Sequence, residues 1–152
     1  MGFLTGKTAI ITGAGRAVLK DGSCGSIGYG IATAYAKEGA NLVITGRNVK
    51  KLEAAKQELE NLYGIKVLTV QADVCAGGDN EATVANVVKQ AVDTFGGIQV
   101  LINNAQASAS GVPLAEHTTE QFDLAIYSGL YAAFYYMKAC YPYLAESHGS
   151  VI

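Results

Sequence analysis

The sequence is poor in the residues that build crosslinked, metal-bound or membrane-spanning proteins. It has no tryptophan, two prolines and three cysteines, Cys24, Cys75 and Cys140, which lie far apart and form no Cys-x-x-Cys pair. This spacing argues against a disulfide framework and a zinc site, so we expect no metal site. It also favours a reducing, cytoplasmic compartment. No apolar run approaches the ~20 residues that cross a bilayer, and we expect no membrane partner.

Charge and hydropathy are those of an ordinary globular domain. The formal net charge is −2 and 50% of the residues are hydrophobic. A nearly balanced charge without a basic run argues against a nucleic-acid partner. A chain of 152 residues is long enough for one domain with a sizeable core, and we assign residues 1–152 to a single domain.

Short apolar runs alternate with longer amphipathic segments along the whole chain. We predict strands over 7–12, 41–45, 66–71, 98–102 and 149–152, and helices over 27–39, 48–62, 80–95 and 118–147. This alternation predicts βαβ units in an α/β, Rossmann-type doubly wound parallel sheet with helices on both faces. The chain stops after the fifth strand, so we expect that strand, apolar as it is, to be left uncovered.

The second predicted helix shows the pattern of an amphipathic surface helix. Asn48 is its predicted N-cap. The face predicted to turn inward carries Leu52, Ala55, Leu59 and Leu62.

A glycine-rich turn follows the first predicted strand. Residues 12–16 read Thr-Gly-Ala-Gly-Arg and, after an insertion, residues 25–32 read Gly-Ser-Ile-Gly-Tyr-Gly-Ile-Ala. Glycines at such a turn let the backbone approach a pyrophosphate, which the amides and dipole of the next helix stabilise. The residues predicted to bind a dinucleotide here are Gly13, Gly15, Ser26, Ile27 and Gly28. A glycine-rich turn without a ligand is the alternative.

A cationic side chain follows the second predicted strand. NAD-binding domains of this type often place an acid here for the ribose 2′-hydroxyl, but this chain has Thr45-Gly46-Arg47-Asn48. The guanidinium of Arg47 suits a 2′-phosphate, so NADP(H) is the preferred cofactor and NAD(H) the second choice. Arg16 and Lys20, in the insertion, would add positive charge. The alternative is that Arg47 is a solvated loop residue.

These features resemble the short-chain dehydrogenase/reductase family. That family has a Thr-Gly-x-x-x-Gly-Ile-Gly turn, whose ends match Thr12-Gly13 and Ile27-Gly28. Ser26 stands at the middle glycine, and the segment before it is about nine residues longer than in the family pattern.

The resemblance extends to the ends of the third and fourth predicted strands. It implies that Asp73 accepts a hydrogen bond from the adenine amino group and that Val74 lines the adenine pocket, although turn capping is an equal role for Asp73. The family's Asn-Asn-Ala-Gly matches Asn103-Asn104-Ala105, with Gln106 in place of glycine. The resemblance implies that these three residues shape the floor of the cofactor site.

The long predicted helix is rich in aromatic residues. They are Tyr127, Tyr131, Phe134, Tyr135, Tyr136, Tyr141 and Tyr143. One packed face cannot bury them all, which predicts a homo-oligomer contact through 119–147. The corresponding helix commonly builds the dimer in the family. The family's Asn-Leu-x-Gly-x-Phe pattern aligns on Leu130 and Phe134, which puts Gly129 at the position of the asparagine.

The resemblance implies oxidation of a secondary alcohol by hydride transfer to a nicotinamide. Segments 26–32, 101–111 and 122–137 further resemble the hydroxysteroid dehydrogenases of the family, whose bacterial 12α-specific members oxidise the C12 hydroxyl of bile acids. A small-molecule hydroxysteroid is therefore the expected substrate. The alternatives are an enoyl-thioester reductase, which the Asn103-Asn104-Ala105 run disfavours, and a non-catalytic nucleotide-binding or oligomerising module.

The family's chemistry uses a serine at the end of the fifth strand and a Tyr-x-x-x-Lys pair on the next helix. No tyrosine in the chain is followed by a lysine four residues later. We therefore assign no catalytic residue, and we expect the 152 residues alone to lack turnover.

Overall fold

The computed structural model describes residues 2–75 and 80–152 and contains one parallel sheet of five strands. The strands are β1 (Thr8–Thr12), β2 (Asn41–Gly46), β3 (Val67–Gln71), β4 (Val100–Ile102) and β5 (Ser150–Val151). Their order is β3-β2-β1-β4-β5, so the chain reverses its direction of travel across the sheet after β3. The predicted doubly wound parallel sheet is confirmed, and the space between β1 and β4 is its topological switch point.

Helices cover both faces of the sheet. They are α1 (Ile27–Lys37), α2 (Val49–Tyr63), α3 (Asn80–Phe95), α4 (Thr119–Ile126) and α5 (Ala132–Ser147), with a 3₁₀ turn at Leu114–Glu116. Successive residues of a strand point to opposite faces. Accordingly, Ile11 packs in the core beneath α1 and α2, whereas Ile10 packs in the core beneath α3 and α5.

The second helix, predicted over 48–62, runs from Val49 to Tyr63. The Asn48 side chain accepts a hydrogen bond from the backbone amide of Lys51 at 3.0 Å, as expected of an N-cap. Leu52, Ala55 and Leu59 are buried, but the prediction for Leu62 is wrong, since its side chain is 63% exposed. Leu62 lies in the last turn, where Tyr63 and the following Ile65 pack against the core instead.

The predicted helix over 118–147 is not a single regular helix. A π-helical turn, Tyr127–Tyr131, joins α4 to α5. Thr118 begins α4 with a capping box, in which the Thr118 hydroxyl accepts from the Gln121 amide and the Gln121 side chain accepts from the Thr118 amide. The π turn holds one residue more than an α turn, so the side chains after it are rotated relative to those before it.

The insertion between the glycine turn and α1 folds as a small hairpin. Val18 and Cys24 form an antiparallel bridge, and the Gly25 amide donates to the Ala17 carbonyl at 2.7 Å. The hairpin is tied to α2 at its base, where the Arg16 amide donates to the Lys51 carbonyl at 2.8 Å. The insertion therefore lies beside the glycine turn as a hydrogen-bonded hairpin.

The fifth strand lies at the edge of the sheet, paired with β4. Val151 is 47% exposed and the following Ile152 is 67% exposed. This agrees with the expectation that the strand is left uncovered within the chain.

Candidate cofactor site

Three neighbouring cavities lie where the carboxyl ends of β1, β2 and β4 meet. The cationic cavity, about 240 Å³, is lined by Gly13, Gly15, Ala17, Ser26, Gly46, Arg47, Asn48, Lys51 and Leu52. The central cavity, about 220 Å³, includes Gly13, Thr45, Arg47, Val74, Asn104 and Ala105. The amide cavity, about 420 Å³, lies between the end of β4 and the π turn and includes Asn103, Asn104, Gln106, Gly129 and Tyr136. Carboxyl ends of parallel strands at a switch point are where such folds bind ligands.

Glycine is required at two positions of the turn after β1. Gly13 has a φ of +71°, and a Cβ there would lie 3.0 Å from the Cβ of Ala105. A Cβ on Gly28 would lie 2.3 Å from the Gly13 carbonyl oxygen and 2.5 Å from Nδ2 of Asn104. Any side chain at either position would push α1 or the end of β4 out of place.

The N-terminus of α1 is open to an anion. Ser26 is the N-cap residue, but its side chain makes no capping hydrogen bond, and the first turn of α1 contains no acidic residue. The buried Ser26 hydroxyl has no hydrogen-bond partner among the described residues. The free amides of the first turn and this hydroxyl are donors that a pyrophosphate would satisfy. The residues present therefore fit a dinucleotide at this position.

Two cations face the cationic cavity. Arg47 follows β2 and also borders the central cavity, and Lys51 lies in the first turn of α2. The sequence analysis missed Lys51. The sequence did contain a signal for it. Asn48 is the predicted N-cap, so Lys51 falls in the first turn of the helix, four residues after Arg47 and beside the glycine turn. A Cβ on Gly15 would lie 3.1 Å from the Lys51 Cβ.

The charge of Arg16 is already paired. Its Nε donates to one carboxylate oxygen of Glu58 on α2, and the Tyr29 hydroxyl of α1 donates to the other. The hydrogen bonds from Tyr29 and Arg16 lower the pKa of Glu58. Burial, with the nearby Glu58 carboxylate, raises the pKa of Tyr29 to about 12. Arg16 thus fastens the insertion to the two helices, while Lys20 is exposed on the hairpin.

Asn104 joins the ends of β1 and β4. Its Nδ2 donates to the Thr12 carbonyl at 2.8 Å, while the backbone amides of Asn104 and Ala105 donate to the Thr12 hydroxyl at 3.0 and 2.9 Å. The side chain of its neighbour Asn103 makes no hydrogen bond within residues 2–75 and 80–152, and it borders the amide cavity. The two adjacent amides therefore differ, since one supports the backbone and the other is free.

Eight of the eleven predicted site residues border these cavities, and three do not. The eight are Gly13, Gly15, Ser26, Arg47, Val74, Asn103, Asn104 and Ala105. Ile27 is 77% exposed, and Gly28 is buried against Gly13. The Asp73 carboxylate accepts from the Cys75 amide at 2.9 Å, which is the turn-capping role that the sequence left open.

The amide cavity brings together polar groups whose proximity the sequence did not predict. Gln106 follows the floor residues, and its Nε2 lies 3.4 Å from where a Cβ on Gly129 would be. The Ser128 hydroxyl accepts from the Ala107 amide at 2.9 Å and fixes this segment to the π turn. The Tyr136 hydroxyl is buried with no hydrogen-bond partner in the described chain, and burial raises the pKa of Tyr136 to about 12.

Two kinds of site find no support in the described residues. Residues 2–75 and 80–152 contain no cluster of three or more His, Cys, Asp or Glu side chains that could hold a metal ion. In the same ranges, no helix has the length and apolar character needed to cross a membrane.

The comparison with protein families decides the family. The family model for short chain dehydrogenases matches residues 7–152. The chain belongs to the short-chain dehydrogenase family. The 12α-hydroxysteroid dehydrogenase of Clostridium sp. (strain ATCC 29733) is 61% identical over 152 residues, which are 100% of this chain and 56% of that protein. Rat hydroxysteroid dehydrogenase-like protein 2 is 34% identical over 153 residues, covering 96% of this chain and 26% of its own length. The chain thus spans about half, or less, of the length of these curated relatives.

Solved structures of several oxidoreductases share this fold. An alcohol dehydrogenase from Thermococcus sibiricus in complex with 5-hydroxy-NADP has a TM-score of 0.82 at 29% identity, over 95% of this chain and 56% of its own. L-Sorbose reductase from Gluconobacter frateurii, with NADPH and L-sorbose, has a TM-score of 0.82 at 30% identity, over 99% and 52%. An NAD⁺-bound xylitol dehydrogenase has a TM-score of 0.83 at 25% identity, over 98% and 52%.

Proposed function

We propose that this chain is the cofactor-binding part of an NADP(H)-dependent dehydrogenase that oxidises a secondary alcohol of a hydroxysteroid, the 12α-hydroxyl of a bile acid. The observation that carries the proposal is the 61% identity, over the whole chain, to a 12α-hydroxysteroid dehydrogenase.

The cavities suggest which residues hold each part of the cofactor. The amides at the start of α1, with Ser26, would hold the pyrophosphate. Arg47 and Lys51 would hold the 2′-phosphate, and Val74 would line the adenine pocket of the central cavity. The nicotinamide half would then lie over Asn103 and Ala105, on the β4 side of the switch point. Bound NADP⁺ supplies the hydride acceptor.

The preference for NADP(H) over NAD(H) rests on charge. The cationic cavity contains Arg47 and Lys51, and no aspartate or glutamate is among the residues that line it. A carboxylate there would repel a 2′-phosphate, whereas the guanidinium fork binds one with charge-assisted hydrogen bonds. Such bonds contribute about 1.5–3 kcal/mol each, enough for a preference of about tenfold or more.

The resemblance to the family implies a Tyr-x-x-x-Lys pair for the chemical step, and none is present in the 152 residues. We therefore propose that the 152-residue chain binds NADP(H) without turning over an alcohol, and that the intact protein carries out the oxidation.

The partner and the compartment complete the proposal. Exposed apolar side chains lie on the π turn and α5 at helical spacing: Tyr127, Tyr131, Phe134 and Tyr141. An apolar strip of this kind suits a contact between two copies of the chain. The three cysteines are unpaired, which suits a reducing, cytoplasmic compartment.

Two measurements on the intact protein test the function. The first is the affinity for NADPH, NADH and 2′,5′-ADP, measured by fluorescence titration and calorimetry. The second is NADP⁺ reduction with a 12α-hydroxylated bile acid, its 12β epimer, and bile acids that lack the C12 hydroxyl, beside NADPH oxidation with an enoyl thioester. Turnover of the 12α substrate alone supports the proposal. Turnover of an enoyl thioester instead, or tight NADPH binding with no activity toward any alcohol, would replace it with one of the two alternatives.

A further inference from the structure

The two positions at which the chain departs from the family pattern near the amide cavity lie next to each other, so that a side chain at 129 would contact Gln106. The family pattern has glycine at 106 and asparagine at 129, whereas this chain has glutamine and glycine. A Cβ on Gly129 would lie 3.4 Å from Nε2, 3.8 Å from Cδ and 3.8 Å from Cγ of Gln106. The carboxamide of Gln106 therefore covers the space that a side chain at 129 would occupy.

Both residues are held by neighbouring structure. Gly129 lies within the π turn, and π turns often occur at functional sites. Ser128, next to Gly129, accepts from the Ala107 amide at 2.9 Å and donates to the Leu124 carbonyl at 2.7 Å. Because Ala107 follows Gln106 directly, this bond fixes the backbone of the loop to the turn. Gln106 and Gly129 are thus held next to each other by a hydrogen bond between their chain neighbours.

The carboxamide of Gln106 is free to bind a ligand. Within the described residues it makes no hydrogen bond, and Gln106 is exposed at the boundary of the central and amide cavities. A carboxamide has two donor hydrogens and an acceptor oxygen. It lies on the β4 side of the switch point, opposite Arg47, which follows β2.

We propose that Gln106 and Gly129 act as a coupled pair, in which the Gln106 carboxamide binds the nicotinamide–ribose half of the cofactor and the missing side chain at 129 makes room for it. The proposal rests on the proposed function, since it assumes a nicotinamide dinucleotide. It names Gln106 as a residue that binds and orients the cofactor, and Gly129 as a residue that acts only through Gln106.

The test compares two ligands that differ by the nicotinamide–ribose half. Dissociation constants of NADP⁺ and 2′,5′-ADP are measured by calorimetry on the intact protein and on Gln106→Ala. One or two lost hydrogen bonds should weaken NADP⁺ about three- to tenfold and leave 2′,5′-ADP within about twofold. Gln57→Ala is the matched control, because Gln57 is exposed on α2 and borders none of the three cavities.

A mutant cycle tests the coupling. Gly129→Ala should change NADP⁺ binding little, since its Cβ would lie at ordinary contact distance from Gln106. Gly129→Asn should displace the Gln106 carboxamide and weaken NADP⁺ selectively. The double variant Gln106→Gly with Gly129→Asn should bind NADP⁺ more tightly than Gly129→Asn alone, because contacting residues are coupled.

The outcomes separate this inference from the proposed function. Equal weakening of both ligands by Gln106→Ala, no weakening, or additive effects in the cycle would overturn the coupled pair while the NADP(H) site stands. Failure of the unmodified protein to bind either ligand would overturn the proposed function and the pair with it. A measurement without mutation guards against misfolded variants: the side-chain amide resonances of Gln106 should shift with NADP⁺ and stay in place with 2′,5′-ADP.

Discussion

The Asn104 side chain bridges two strand ends, donating from Nδ2 to the Thr12 carbonyl at 2.8 Å and approaching the Gly13 carbonyl at 3.4 Å. The bridge sets the distance between the glycine turn and the residues after β4. Together with the hydrogen bonds of the Thr12 hydroxyl, this side chain joins the two sides of the candidate cofactor site.

Asn104→Ala should destabilise the protein because it leaves the Thr12 carbonyl without this donor. Loss of a partly buried hydrogen bond costs about 1–3 kcal/mol. Urea unfolding should show this loss, together with weaker NADPH binding. Asn103→Ala is the control and should unfold at nearly the wild-type urea concentration, since the Asn103 side chain makes no hydrogen bond in the described chain. Equal destabilisation by both variants would contradict the bridge.

Arg47→Ser should weaken NADPH binding by about tenfold or more and change NADH binding little, because only NADPH carries the 2′-phosphate. Lys51→Met should act in the same direction with a smaller effect. The control is Lys50→Met, as Lys50 is exposed in the same turn and does not border the cationic cavity. The ratio of the two dissociation constants is the measurement, and an unchanged ratio in Arg47→Ser would remove Arg47 from the phosphate site.

Glu58→Gln should change how stability depends on pH. The pKa of Glu58 is lowered in the folded protein by the Tyr29 and Arg16 hydrogen bonds. A lowered folded-state pKa stabilises the protein above the unfolded value of about 4.3, and this contribution is lost as the pH falls below it. Tyr29, with a pKa of about 12, stays protonated throughout that window.

Thermal unfolding between pH 7 and pH 3 measures this effect. The wild-type melting temperature should fall toward that of Glu58→Gln as the pH drops, and the difference should be largest near neutrality. Glu146→Gln is the control, because Glu146 is exposed and forms no ion pair within the described residues. Parallel melting curves for wild type and Glu58→Gln across the range would show that the ion pair contributes nothing.

Phe134→Glu should reduce the oligomer to a smaller species, because it places a charge in the exposed apolar strip of α5. Phe134 is 51% exposed, and a buried, unpaired carboxylate at an interface is costly. Analytical ultracentrifugation measures the mass in solution. Leu62→Glu tests specificity, since Leu62 is 63% exposed on α2 and should leave the mass unchanged. A wild-type monomer would remove the oligomer from the proposal.

The grouping of site residues at the carboxyl ends of the strands was predictable from the sequence, because the topology of a parallel sheet brings these ends together. In a parallel sheet every carboxyl end meets one edge, so Gly13, Arg47, Val74 and Asn104 converge without any knowledge of side-chain packing. The N-cap role of Asn48 was equally local. Such predictions depend on chain order and short-range hydrogen bonds.

Contacts between residues on separate elements were not predictable. The Arg16–Glu58 pair joins positions 42 residues apart, and nothing near Arg16 in the sequence indicates its partner. The proximity of Gln106 to Gly129 occurs at the π turn, which the aromatic pattern of 118–147 does not reveal. Each depends on how two elements pack, which a pattern within one element does not encode.

The π turn also separates α4 from α5, and the two helices differ in how they pack against the sheet. α5 presents buried Tyr136, Cys140 and Leu144 to the sheet, whereas no residue of α4 is buried. The extra residue of the π turn rotates the side chains of α5 relative to those of α4. Substitutions in α4 and in the loop before it can therefore reshape the mouth of the amide cavity, while the packing of α5 against the sheet stays unchanged.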